Sequence, residues 1–251
     1  GFASARELPV LWAITKGSLI NKLIILPVAF LLSAFLPSVI TLVLLLGGFY
    51  LAYEGAEKVF EYFVPHKKAK PSALKETATK AEILKLEKQK IRSAILTDFI
   101  LSVEIVIIAL SAVNGEPLKI QLVVVSIIAI LATVGVYGLV ALIVRMDDLG
   151  LALISLNEER DSFSDKIGTL LVRALPKVVK GLTFIGTVAL MLVSGGIFVH
   201  HLPFVHHFAE SVFIPTLLFE FLTGIVFGAV VLAIMKVGKR VLSKKRDKDP
   251  S

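Results

Sequence analysis

Apolar residues fall into six long runs, separated by shorter polar stretches. The runs cover about 17–36, 38–60, 93–113, 118–144, 181–199 and 211–235. Each is close to the roughly 20 residues that a helix needs to cross a hydrocarbon core about 30 Å thick. The pattern predicts an all-α fold, a polytopic helical membrane protein of six spans. Leu36-Pro37-Ser38 is the turn between the first two runs, and Asn114-Gly115-Glu116-Pro117 separates the third from the fourth. The first run is the weakest, because it contains Asn21 and Lys22. Their polar heads are expected to snorkel toward an interface; a hairpin that enters only half of the bilayer is the alternative.

The polar stretches 64–92, 145–180 and 236–251 read as helix extensions and not as a second domain, so the chain is expected to form a single membrane domain. Pro65 and Pro71 break the chain after the second run. Thr79-Lys80-Ala81-Glu82 then has the spacing of a capping box. From there a helix is predicted to continue through Lys85, Lys88 and Arg92 into the third run. Ile167, Leu170, Leu171, Ala174 and Val178 recur at steps of three and four residues. Such a stripe predicts an amphipathic cytoplasmic helix lying in the membrane interface, which Pro176 should end or kink. Arg6-Glu7-Leu8-Pro9 before Lys16-Gly17 is echoed by Arg173-Ala174-Leu175-Pro176 before Lys180-Gly181. The two offsets differ, and chance similarity accounts for the echo better than an internal duplication does.

Composition supports this reading. Of 251 residues, 56% are hydrophobic and 19% charged, and the mean hydropathy is +0.84, whereas soluble proteins carry about 25% charged residues. One globular core cannot hide that much apolar surface. The charge distribution supplies an orientation: 26 of the 27 Lys and Arg residues fall on one side of the predicted spans, and only Lys119 falls on the other. The positive-inside rule makes the basic side cytoplasmic, with both ends of this chain inside. The net charge of +7 is therefore a signal of topology and of contact with anionic lipids at the cytoplasmic face. No aromatic-interleaved basic motif suggests nucleic acid. With no cysteine in the chain, disulfides, thiolate ligands and cysteine nucleophiles are excluded.

Ionisable groups inside the spans are where chemistry is expected. Glu54, Asp98, Glu104 and Glu220 lie within the runs, and no Arg lies there to neutralise them. Each charge costs about 2.5–3.5 kcal/mol at a helix centre on insertion scales. At about 1.5 Å per residue, Glu104 and Glu220 fall near the middle of their runs, and Glu54 and Asp98 nearer the cytoplasmic end. These four are the candidate ion ligands or proton carriers, in two layers along one path. Asp98 and Glu104 point about 120° apart on an ideal helix, whereas Asp98 and Ser102 share a face. The plainer alternative is a protonated acid hydrogen-bonded to a neighbouring Ser, Thr or carbonyl. Asp147 and Asp148, after Arg145 and Met146, mark either a solvated helix end or a cytoplasmic mouth for cations. His200, His201, His206 and His207, with Glu210, form an outer loop whose imidazoles suit zinc, copper or nickel; their spacing matches no established site, and a polar loop is the alternative. Gly224-Ile225-Val226-Phe227-Gly228, Gly47-Gly48, Gly135/Gly138 and Gly195-Gly196 supply small faces for close helix packing or for a homo-oligomer. No catalytic triad, phosphate loop or HExxH is present, so an enzyme is not expected, and no cofactor is implied beyond a metal ion of unknown identity.

Several separate motifs resemble the YedI-like family. They are Ala5-Arg6-Glu7-Leu8-Pro9-Val10 with Lys16-Gly17-Ser18, Gly47-Gly48 through Tyr53-Glu54-Gly55-Ala56-Glu57-Lys58, and Thr97-Asp98-Phe99-Ile100-Leu101-Ser102-Val103-Glu104. Asp147-Asp148 and Gly186-Thr187 through Gly195-Gly196-Ile197, His200 and Pro203 complete the likeness. The resemblance implies a bacterial inner-membrane protein of undefined function, and a further N-terminal stretch ahead of Gly1. More locally, Asp98-x5-Glu104 is similar to the acidic span motif of TerC-type proteins, with Glu104 in place of their usual Asp. That likeness implies metal-ion handling. Together the residues predict a transporter-like protein that moves or senses a cation, either a metal ion or one coupled to protons. The rival is a non-transporting membrane protein that acts through helix packing and the binding of a partner or anionic lipid.

Overall fold

The computed structural model describes residues 4–63, 80–156 and 162–246. Among them are eight helices and no strand. These are α1 (Ser4–Phe35), α2 (Pro37–Phe63), α3 (Lys80–Ala112), α4 (Leu118–Val144), α5 (Met146–Ile154), α6 (Phe163–His201), α7 (Pro203–Ser211) and α8 (Thr216–Arg246). Six of them, all but α5 and α7, are long and apolar enough to cross a membrane. The chain is a polytopic helical membrane protein. Pro37 stops α1 and opens α2, where its missing N–H and fixed φ suit a first helical residue. Gly115 at φ 95° turns the chain between α3 and α4, a conformation that residues with a Cβ rarely adopt.

Three expectations need correction. The first span is one continuous helix from Ser4, and Asn21, Lys22 and Pro27 lie inside it; its 32 residues extend about 48 Å, long enough to cross a membrane. The amphipathic stretch and the fifth span are likewise one helix, and Pro176 lies within α6 instead of ending it. A proline removes one backbone donor, but the apolar sequence after it has only the helix in which to satisfy its other backbone groups. The sixth span starts at Thr216 and not at 211, because residues 203–211 form the separate α7, with Pro203 in its first turn. The predicted helix leading into the third span is present as the first part of α3. The capping-box Thr79, Pro65 and Pro71 lie outside the described residues.

The chain divides into two compact units. The first comprises Gly1–Leu36 with Ala78–Thr183, and the second Pro37–Thr77 with Phe184–Ser251. In the first unit α1 packs along α3, and α4 packs against both. The contacts advance together along α1 and α3, so the two helices run parallel. Gly17 meets Ile95, Asn21 donates from its side chain to the Ile95 carbonyl at 3.0 Å, and Ile25 and Ala29 join Val106, Ala109, Leu110 and Val125 in an apolar core. A Cβ at Gly17 would stand 2.5 Å from Ile95 Cδ1, so glycine permits this approach. Farther along, α5 crosses α6 where Gly150 and Gly168 put backbone against backbone. The Ser162 hydroxyl accepts from the Asp165 N–H at 3.3 Å and caps the start of α6.

In the second unit α2 packs along α8, and the C-terminal part of α6 joins them. Gly195 lies on the Glu220 carbonyl, Gly224 on the Met191 carbonyl and Gly228 on the Ala52 carbonyl. Phe198 is fully buried; its ring stacks on Phe227 at 4.2 Å between centroids and tilts against Phe49 at 4.9 Å.

Candidate ion-binding site

The polar cluster of the first unit is built around Lys22, the residue expected to reach for the interface. Instead it is buried, at 8% exposure. Its Nζ donates to Ser18 Oγ at 2.9 Å, one turn back on α1, and to Ser102 Oγ at 2.9 Å on α3. The third partner is Asp98, whose Oδ2 stands 3.5 Å away. Ser18 is completely enclosed and Ser102 nearly so. Tyr137, from α4, interacts with Ser18 and Asp98. The cluster thus gathers one ammonium, one carboxylate and three hydroxyls from three helices.

Helical spacing explains the convergence. Ser18 and Lys22 are four residues apart, as are Asp98 and Ser102, so each pair lies on one face of its helix. Parallel packing of α1 on α3 sets the two faces against each other. Lys22 and Asp98 each lie about five residues, or about 8 Å, inside the apolar run of their helix. Snorkelling fails because a carboxylate and two serines satisfy all three ammonium protons inside the protein. The sequence signal for this convergence is a base and an acid, each with a serine four residues away, at matching depths of two spans.

Glu104 lies in the same unit, six residues and about 9 Å beyond Asp98 along α3. It is half-buried, and its Oε2 is fully enclosed. Asp147 and Asp148 belong to the first turn of α5. Asp148 pairs with Arg145 at 3.3 Å on exposed side chains, and Asp147 Oδ1 accepts from the Asp148 N–H at 2.8 Å.

The remaining candidates belong to the second unit. Glu220 lies beside Gly196 and 3.3 Å from His200 Nε2. Glu54 accepts from Lys58 at 2.9 Å, one turn along α2. The predicted histidine loop is helical, divided between the end of α6 and α7. His201 Nδ1 stands 3.0 Å from the Ile197 carbonyl, while His206 and His207 lie 3.9 and 3.7 Å from the Glu210 carboxylate. Among the described residues no three His, Asp or Glu side chains come together as a group able to hold a metal ion.

The glycines divide in the same way. Gly195, Gly224 and Gly228 are spent on contacts inside the chain, whereas Gly135 and Gly138 on α4 face open space.

A family model described as a protein of unknown function (DUF808) matches residues 1–235. The chain belongs to the DUF808 family. No curated protein and no solved structure matches it. The family description assigns no chemistry, and the functional reading rests on the site.

Proposed function

We propose that this DUF808 protein is a transporter-like protein of the bacterial inner membrane that handles a cation through carboxylates in its first unit. One observation supports the reading above the others: a positive charge is already held inside the spans, by Asp98, Ser18 and Ser102 around Lys22. An ionisable pair inside a membrane span is costly and marks a functional site by default. Asp98 is the carboxylate that a transported cation or proton would take from Lys22, and Glu104 offers a second acid deeper along α3. Glu220, beside His200, and Glu54, beside Lys58, are secondary candidates in the other unit, and Asp147 and Asp148 would form the cytoplasmic mouth. The YedI-like motifs and the distribution of Lys and Arg support an inner-membrane location with both ends of this chain cytoplasmic. The basic segments would then meet anionic lipid. Gly135 and Gly138, open on the least buried span, would supply a homo-oligomer face. No enzymatic role is proposed.

A second reading has its own observation. The Lys22 ammonium has three donors and three oxygen partners, the arrangement of a fixed clasp between α1 and α3. Flux distinguishes the two. Purified protein in liposomes, given a panel of monovalent and divalent cations and a proton gradient, should move a cation as the wild type. Asp98→Asn and Glu104→Gln, both near-isosteric, should each reduce flux at least tenfold per folded protein reconstituted. A wild type that moves no ion, or variants that match it, would replace the transporter by the clasp.

A further inference from the structure

The Lys22 ammonium occupies a position whose chemistry identifies the cation that could replace it. Three oxygens from Ser18, Ser102 and Asp98 surround Nζ at 2.9, 2.9 and 3.5 Å. The Tyr137 hydroxyl adjoins the same Ser18 and Asp98. No sulfur or imidazole faces this position among the partners described, so the donors are hard oxygens, which favour hard cations over copper or zinc. The charge is equally restrictive. Asp98 is the single anion of the cluster, and Lys22 balances it one for one. The surroundings are largely enclosed: Ser18 is at 0% exposure, Ser102 at 4% and the Asp98 side chain at 19%. A monovalent ion in the ammonium's place leaves the cluster neutral. A divalent ion would leave an uncompensated positive charge where charge is poorly solvated.

We propose that Ser18, Asp98, Ser102 and Tyr137 form a site for a hard monovalent cation, in which the Lys22 ammonium is the built-in occupant. Lys22 has a flexible four-carbon stem and a compact charge. Cation and lysine then compete for one carboxylate. The inference deepens the cation-handling reading of the same site by naming the class of ion.

Removing the competitor tests it. The full chain in detergent, as Lys22→Ala, should unfold at a lower temperature than the wild type in choline chloride. Sodium, potassium, rubidium or methylammonium chloride should restore the loss saturably. Magnesium and calcium chlorides at equal ionic strength should not. Radiolabelled rubidium should bind Lys22→Ala at least tenfold more tightly than the wild type, and should not bind Lys22→Ala/Asp98→Asn. If Lys22→Ala does not fold, Lys22→Gln serves, because its amide still donates to the serines and leaves Asp98 without a cation. The wild type, assayed in parallel at high rubidium, should lose its weaker binding on Asp98→Asn. The proposal is overturned by variants that respond no better than to choline, by better recovery with divalent ions, or by an equal response without Asp98. None of these readings uses flux. A protein that binds monovalent ions and moves none loses the transport reading alone, and one that moves ions without these responses loses the present inference alone.

Discussion

The two units solve the same problem, holding three long apolar helices together, by opposite means. In the second, helices approach through glycine until backbone lies on backbone: Gly195, Gly224 and Gly228 each touch a carbonyl of a neighbouring helix. Phenylalanine rings fill the space that remains. Between the spans α1 and α3 of the first, glycine admits the Ile95 side chain at Gly17 and the adjacent contact is electrostatic, Lys22 with Asp98; backbone lies on backbone in that unit at Gly150 and Gly168, where α5 crosses α6. In lipid the tails around a helix are as apolar as its own side chains, so hydrophobic burial does not by itself bring helices together. Close packing and hydrogen bonding remain. The second unit relies on packing, which has one good geometry and resists rearrangement. The first relies on a charge pair that can be taken apart by offering either partner a substitute. That contrast supports the proposal of ion chemistry in the first unit.

Breaking the charge pair is the most severe way to test the contrast. Lys22→Met or Asp98→Asn alone removes one side of a largely buried pair, and should cost about 3–5 kcal/mol, because the partner is left uncompensated. The double variant should recover most of that loss. Equilibrium unfolding in mixed micelles, arranged as a double-mutant cycle, measures the coupling. Additive losses would mean that the two residues do not act as a pair.

The packing unit should break on a single methyl group. Gly224→Ala places a Cβ on the Met191 carbonyl, which no rotamer change can relieve, and should destabilise by about 1–3 kcal/mol or more through overpacking. Gly135→Ala meets nothing within 4 Å. It should be neutral, or stabilise by up to about 1 kcal/mol through helix propensity. Thermal unfolding of the two variants side by side checks this, and equal effects would remove the distinction between spent and open glycines.

The mildest test concerns a carboxylate outside both devices. Glu54 pairs with Lys58 one turn along α2, and the Lys58 side chain is 43% exposed. Glu54→Gln should therefore change stability by only about 0.3–0.5 kcal/mol, and should lower flux less than Asp98→Asn does. A loss of flux equal to that of Asp98→Asn would extend the ion path into the second unit.

What the chain determined by itself is everything that depends on local pattern. The six apolar runs, the turn at Pro37, the loop at Gly115 and the helix entering the third span all follow from hydrophobic length and from the backbone restrictions of proline and glycine. The identity of Asp98, Ser102 and Glu104 as neighbours on α3 follows equally from spacing. Where local rules compete, the sequence was a poorer guide. Pro176 reads as the end or a kink of its helix, and the helix does not end there, because the backbone beyond it has no other way to satisfy its hydrogen bonds in an apolar segment. Lys22 reads as a residue that escapes to the interface, yet it is buried. The reason is non-local: Asp98 and Ser102 lie 76 and 80 residues away in the chain, and only the parallel packing of α1 on α3 brings their oxygens to the ammonium. The glycines show the same limit, since nothing in their spacing separates Gly224, pressed on Met191, from Gly135, open on α4. Which helix lies opposite a residue is decided by tertiary structure, and in this protein that choice determines where a charge can be held.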